Sequence, residues 1–376
     1  MKSLLAITFF GVALAPCLWD RDTLATELRG LPKALDMVLG KWHRHSEAYY
    51  RERIERLAGK ERLTLGECDD LAVAYEHVRD RDKAIAVMAK KAELLAATPN
   101  EEHQYRYHAN LGTFYAHTGR FDEALVELRN AIAINPDAHF GREIFQVELI
   151  EYIAAARKDP ELWKRFSFLR HAGYQLNIHV GSGGLVYAPD SSHDWGKDWR
   201  GTRKIDLDKA WQGIGGMLRF GGLEGPELYR SLAEWFLAKE HLNLAWWALE
   251  RAIERGHPAA DHLRKGQEGI EAHWKEAGSR APRAPSRAEI DARRAWADAW
   301  VDAFQEAEAA AIARGEDVGS DAALKKLLAI ADEARPDDGA DGKRDGVAWR
   351  TVALWSVVAG AGLLAAILLL QRSRMR

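Results

Sequence analysis

The sequence predicts an all-α fold: an α-solenoid of helical hairpins, broken once by a short irregular or β insert and followed by a C-terminal transmembrane helix. Three observations predict it. Residues 105 to 138 read as one complete helix-turn-helix unit. The same alternation of small and large residues returns at 68 to 100 and at 226 to 259. Helical periodicity covers most of the remaining chain and lapses longest between 159 and 206.

The strongest unit is YRYHANLGTFYAHTGRFDEALVELRNAIAINPDA. Leu111, Gly112 and Tyr115 lie on its first helix, Gly119 and Phe121 form the turn, and Ala124, Leu128, Ala131 and Pro136 pattern and end the second helix. Gly112, Ala124 and Ala131 are small where two helices cross closely, and Tyr115, Phe121 and Leu128 fill the space left over. This spacing resembles the tetratricopeptide repeat (TPR) superfamily. The resemblance implies stacked hairpins whose first helices line a concave groove, and a surface for protein or peptide partners rather than for chemistry.

Taken from the N-terminus, residues 1–15 read as a secretory signal: Lys2, then an uncharged run from Ser3 to Cys17. That run is too short to span roughly 30 Å of hydrocarbon at about 1.5 Å per residue. Pro16 disfavours cleavage after Ala15, and cleavage after Ala13 is the alternative. Residues 16–62 read as a cap of two helices, which a solenoid needs so that its end repeat does not leave an apolar face in water.

A first repeat block spans 63–158. In its earlier unit Leu71, Ala72, Tyr75, Ala84 and Met88 hold the places of Leu111, Gly112, Tyr115, Ala124 and Leu128. Arg79 and Arg81 replace the turn glycine and aromatic, and Pro99 comes three residues late, which predicts a longer second helix. The run after Pro136 reads as the opening half of a degenerate third unit. The insert, 159–206, contains Tyr174 to Val180 and Leu185 to Ala188, read as a short hairpin around GSGG, and then loop. A second block, 207–277, carries the unit 226–259 with Leu232, Ala233, Phe236, Ala245, Leu249 and Ala252; Glu240 stands at the turn position and predicts a different turn.

Residues 278–345 read as linker, amphipathic helices and stalk. Ser286 and Glu289 make a capping box for a helix with Trp296, Trp300, Phe304, Ala307 and Ala311 on one face, and Leu324, Leu327, Leu328 and Ala331 line a second helix. Residues 350–371 are long and uncharged enough after Arg350 to cross a membrane. With an exported N-terminus this helix stops transfer, leaving 372–376 in the cytoplasm and the repeats on the periplasmic or outer side.

Lys plus Arg number 53 against 56 Asp plus Glu, a formal charge of −3, so no basic excess points to nucleic acid. No nucleophile elbow, phosphate loop or zinc motif is present, and neither catalytic residues, metal ligands nor cofactor are expected. GSGG at 181–184 and GIGG at 213–216 read as turn or helix-crossing features. His43 and His45, and His179, His193 and Asp194, have ligand chemistry but read as loop histidines. Cys17 and Cys68 are the two cysteines and allow one disulfide.

Carried over from the resemblance, the groove positions are Asp69, Val73 and Glu76, then Arg106, Asn110, Thr113 and His117, then Arg230, Glu234 and Leu237. Asn110 matches a carboxylate-clamp position of the family, while Asp69 puts the opposite charge where a Lys would stand. The expected function is a membrane-tethered, non-enzymatic interaction scaffold. The alternatives are a metal-dependent or catalytic module in 160–205, and an envelope protein that self-associates through 287–334 as a homo-oligomer.

Overall fold

The computed structural model of the chain describes residues 18–23, 30–176, 203–221, 225–278 and 282–334. The described residues are mostly α-helical. The signal segment 1–15, Cys17, the stalk, the membrane segment 350–371, the tail 372–376, and His179, GSGG, His193 and Asp194 lie outside them. Among the described residues no helix is long and apolar enough to cross a membrane.

The N-terminal cap holds α1 (Ala34–Leu39) and α2 (Glu47–Ala58). The first two hairpins follow: α3 (Leu65–His77) with α4 (Arg81–Ala97), and α5 (Glu101–His117) with α6 (Phe121–Ile134). The expected extra length of the second helix is present, 17 residues in α4 against 14 in α6. At the α5–α6 crossing a Cβ on Gly112 would sit 2.8 Å from Leu128 Cγ and 3.1 Å from the Ala124 carbonyl oxygen. Only glycine lets the helices approach this closely.

The turns are more alike than their residues suggest. Gly119 has φ +79°, and Arg79 and Glu240, which replace it in the other units, take φ +65° and +60°. In each case the amide three residues past the helix bonds the carbonyl five residues back: Asp80 to Tyr75 at 2.9 Å, Arg120 to Tyr115 at 2.9 Å and His241 to Phe236 at 2.8 Å. This is the six-to-one bond of a Schellman ending. The expectation of a different turn at Glu240 is therefore corrected: the backbone conformation persists, with a side chain where glycine is usual.

The third unit is split. Its first helix, α7 (Arg142–Lys158), packs both on the residues that directly follow it, through Tyr152 against Trp163, and on α10 (Leu207–Phe220), which enters after the insert. The GIGG run forms this crossing. A Cβ on Gly213 would lie 2.4 Å from Phe145 Cδ2, on Gly216 2.2 Å from Arg142 Nε, and on Gly215 2.7 Å from Leu31 Cδ1. Between the two halves lie one-turn helices α8 (Leu162–Arg165) and α9 (Phe168–His171) and strand β1 (Tyr174–Gln175). β1 pairs in parallel with β2 (Arg203–Lys204), Tyr174 opposite Arg203. A parallel pair cannot close through a tight hairpin turn; residues 177–180 and 185–188, where the short hairpin is expected, lie outside the described residues.

The second block contains α11 (Pro226–Ala238), α12 (Leu242–Glu254) and α13 (Ala260–Ala277). Leu232, Ala233, Phe236, Ala245, Leu249 and Ala252 are all buried, as the repeat pattern requires. One apolar cluster runs from Phe121, Ala124 and Leu128 through α7 and α10 to α11 and α12, so the blocks share a core. The capping box of Ser286 and Glu289 starts α14 (Arg287–Ala313), which closes as a hairpin on α15 (Asp321–Glu333) around Trp300, Phe304, Leu327 and Ala331. α14 also returns to the N-terminal cap. Ser46 N–H donates to Glu308 Oε2 at 2.6 Å and Arg294 donates to the Val38 carbonyl at 3.2 Å.

Candidate functional site

The positions expected to line an open groove are nearly all buried: Asp69, Val73 and Leu237 at 1% exposure, Glu76 at 3%, Asn110, Thr113 and Arg230 at 0%, and Glu234 at 1%. Burial of so many polar groups costs heavily unless each is paired. Asp69, Glu76 and Thr113 are paired by side chains of the packed helices, while for Asn110, and for Arg230 and Glu234, partners come from two other segments of the same chain.

The first is the arm 18–23, laid across α2, α3 and α5. Asn110 grips its backbone from both sides: Trp19 N–H donates to Asn110 Oδ1 at 2.7 Å, and Asn110 Nδ2 donates to the Trp19 carbonyl at 3.0 Å. Arg21 N–H donates to Asp70 Oδ1 at 3.1 Å, and its guanidinium lies 3.0 Å from the same carboxylate. Leu18 enters the cluster of Leu71, Leu111 and Phe114. Trp19 points the other way, edge-on to Tyr105 at 5.6 Å between ring centroids, with the Arg106 guanidinium 5.3 Å over its ring. Asp20 and Asp22 both meet Arg53, at 2.8 and 2.5 Å, and Tyr49 Oη donates to Asp22 at 2.9 Å.

Electrostatics follow from these contacts. Burial pushes the Asp20 carboxyl up, but the Arg53 charge and the Thr23 amide outweigh it and hold the carboxyl below its ordinary value. Burial of Lys91 lowers the ammonium, opposed by Asp69 at 2.5 Å. Asp69 also accepts from Asn110 Nδ2 at 3.1 Å, so the clamp residue is itself held in place. The charge that Asp69 brings to the face is answered from α4. Glu76 binds His117 Nδ1 at 2.7 Å and Arg81 Nε at 3.0 Å; burial raises its carboxyl, and these partners bring it below the ordinary value. Thr113 accepts from Gln146 at 3.1 Å. Val73 and Leu237 are apolar core.

The second segment is α8–α9, held against α11. Ser167 Oγ donates to Glu234 at 2.5 Å, Phe168 N–H donates to Glu227 at 2.8 Å, and Arg230 donates to the Trp163 carbonyl at 2.5 Å. His257 Nδ1 accepts from Ala259 N–H at 3.0 Å, so Nε2 carries the proton and donates to Glu227 at 2.9 Å. Burial accordingly lowers the His257 pKa, with Glu227 opposing it.

Sequence reasoning missed Trp19, Asp20, Arg53 and Lys91. Lys91 left a trace: it occupies an inward position of the stripe Ala84, Val87, Met88, Leu95, where a charge needs a partner. His45 stacks on Tyr49 at 3.8 Å and bonds Glu308 at 2.6 Å, and His43 lies against Phe304, so the pair is engaged in packing. Among the described residues no group of three or more His, Cys, Asp or Glu is arranged to hold a metal ion. Cys68 is fully buried as a thiol, and burial pushes it up to about 11. Beside the arm, a cleft of about 330 Å³ opens between Arg21, Asp22, Arg56 and the 315–319 loop, giving solvent a path to its outer edge. Comparison of the chain with protein-family models, curated proteins and solved structures finds no match, so the function has to be argued from this geometry alone.

Proposed function

We propose that this chain is a TPR-like α-solenoid that serves as a non-enzymatic protein-interaction scaffold. It is exported, tethered through 350–371 and turned toward the periplasmic or outer side. The observation that carries the reading is the two-sided grip of Asn110 on the Trp19 backbone. A side-chain amide that satisfies both the N–H and the C=O of one residue holds a peptide without depending on its sequence, which is what recognition by preformed helices requires. The recurrence of one turn geometry in three hairpins supports the repeat architecture independently of residue identity.

Two experiments test it in cells. A photo-crosslinking residue at position 106, at the edge of the arm, is expected to trap a discrete adduct. The same residue at position 94, exposed on the outer side of α4, is expected to trap none, and the opposite pattern would overturn the scaffold. Tags at 278 and after Arg376 test the address: external protease should digest the first and spare the second, and protection of both would place the repeats in the cytoplasm.

A further inference from the structure

We propose that the face formed by α2, α3 and α5 is a site for a short segment of the pattern apolar-Trp-Asp-x-Asp that enters a helical turn after its first Asp. The chain's own residues 18–22 occupy it as an intramolecular ligand, and a partner segment of the same chemistry gains access by displacing them. This rests on the scaffold reading and names the ligand class of that site.

Three features separate the arm from an ordinary piece of core. Three of its backbone hydrogen bonds go to side chains of the repeat helices, Asn110 and Asp70, and a fourth, Thr23 N–H to Asp20 Oδ1 at 2.8 Å, caps the helical turn that begins at Arg21. Its contacts step across three helices, from Arg53 on α2 to Asp70 on α3 to Asn110 on α5. Its side chains divide by chemistry. Leu18 and Trp19 are buried in two separate apolar clusters, while the Arg21 side chain is 52% exposed.

Arg53 sets the charge of the ligand. Its side chain is 2% exposed, and the carboxylates that neutralise it, Asp20 and Asp22, both belong to the arm. An emptied site would leave a buried guanidinium without its counter-charge, which strongly disfavours a neutral or basic replacement. The aromatic requirement comes from Trp19, which lies among Tyr105, Ala109 and Ala131 with Arg106 over its ring. The x position is the least enclosed, since Arg21 reaches the solvent cleft, and a basic residue there answers the buried Asp70 carboxylate at 3.0 Å.

The test keeps the full chain. A protease site inserted within 24–29 is cut after folding, and a fluorescein-labelled peptide of residues 18–23, LWDRDT, is added. A tethered competitor acts at about millimolar effective concentration. For a peptide of about 100 μM affinity, the uncut protein should therefore bind about ten-fold more weakly than the cut one. Peptides carrying Trp19→Ala, or Asp20→Asn with Asp22→Asn, should lose binding to the cut protein. The proposal is overturned if the cut arm never exchanges, if its release abolishes the helical circular dichroism signal, or if the altered peptides bind equally well. It is also overturned if isotope-mixed crosslinking of the uncut protein places the arm on a second copy. Failure of peptide exchange with a position-106 adduct retained in cells would remove the displaceable arm and leave the scaffold. Peptide exchange without any adduct would do the reverse.

Discussion

Gly213→Ala tests the split third hairpin, the least local feature of the fold. In an isolated helix the change is favourable by about 1 kcal/mol, because glycine loses more backbone freedom than alanine. In this structure the new methyl would sit 2.4 Å from Phe145 Cδ2 and 3.0 Å from Cε2. Ordinary carbon contact starts near 3.5 Å, so helix or ring must retreat by about 1 Å. The ring has little freedom: Phe145 is 5% exposed and packs against Tyr174 at 6.0 Å between centroids. Overpacking of this kind costs about 1–3 kcal/mol. With the upper end appropriate to a ring, the net loss is about 2 kcal/mol, or about 4–8 °C in Tm at the scale of a 150–250-residue unit. Thermal unfolding of the full chain by circular dichroism measures it. Phe145→Leu in the same background should recover part of the loss, with a coupling of about 1 kcal/mol in the double-mutant cycle. A Gly213→Ala protein as stable as the parent or more so, or zero coupling, would mean that α7 and α10 do not cross at this glycine.

Other consequences are equally direct. Arg53→Leu leaves the buried Asp20 carboxylate without its guanidinium and should destabilise the protein by about 3–5 kcal/mol in urea unfolding, with Asp20→Asn partly restoring it; a loss below about 1 kcal/mol would contradict the pairing. Burial holds the His77 imidazole down at about 4, against an ordinary 6.5, where it stacks on Tyr50 at 4.0 Å and faces Asp20, Glu76, His45 and Arg53. Between those values the unfolded chain takes up a proton that the folded chain refuses, so stability should fall as pH drops from about 6.5 to about 4, by at most about 3 kcal/mol. The Asp20 carboxylate, held below its ordinary value, adds to the loss only at lower pH still. A pH series of Tm checks both, and His77→Gln should flatten the upper part. Cys68, buried with its thiol pushed up to about 11, should resist iodoacetamide at pH 8 in the native protein and react on denaturation; rapid native alkylation would contradict its placement.

The hairpins were legible because their determinants are local. Small residues at Gly112, Ala124 and Ala131 and large ones between them are read within 34 positions, and the capping box of Ser286 and Glu289 within four. The turns were only half legible. Arg79 and Glu240 hide a left-handed backbone that the surrounding helices impose, which residue preference alone does not reveal. The α7–α10 pairing was out of reach because the two halves stand either side of the insert and nothing in either names the other, although GIGG marked a close crossing. The filled face was hidden for a related reason. Asp69, Glu76, Asn110 and Glu234 look like solvated helix positions until the covering segment is known, and for Asn110 that cover is Trp19, 91 residues away. Polar residues at repeat-facing positions carry the same signature whether they meet water, a partner or the chain's own arm.

Amide hydrogen exchange of the full-length protein, read on fragments covering 18–23, tests that self-occupied face most directly. The account predicts slow exchange at Trp19 and Arg21, whose N–H groups are bonded to Asn110 and Asp70, with release at Trp19 on Asn110→Ala. Exchange of both amides at the rate of an unprotected peptide in the parent protein would contradict it: the face would stand open, and its buried charges would need other partners.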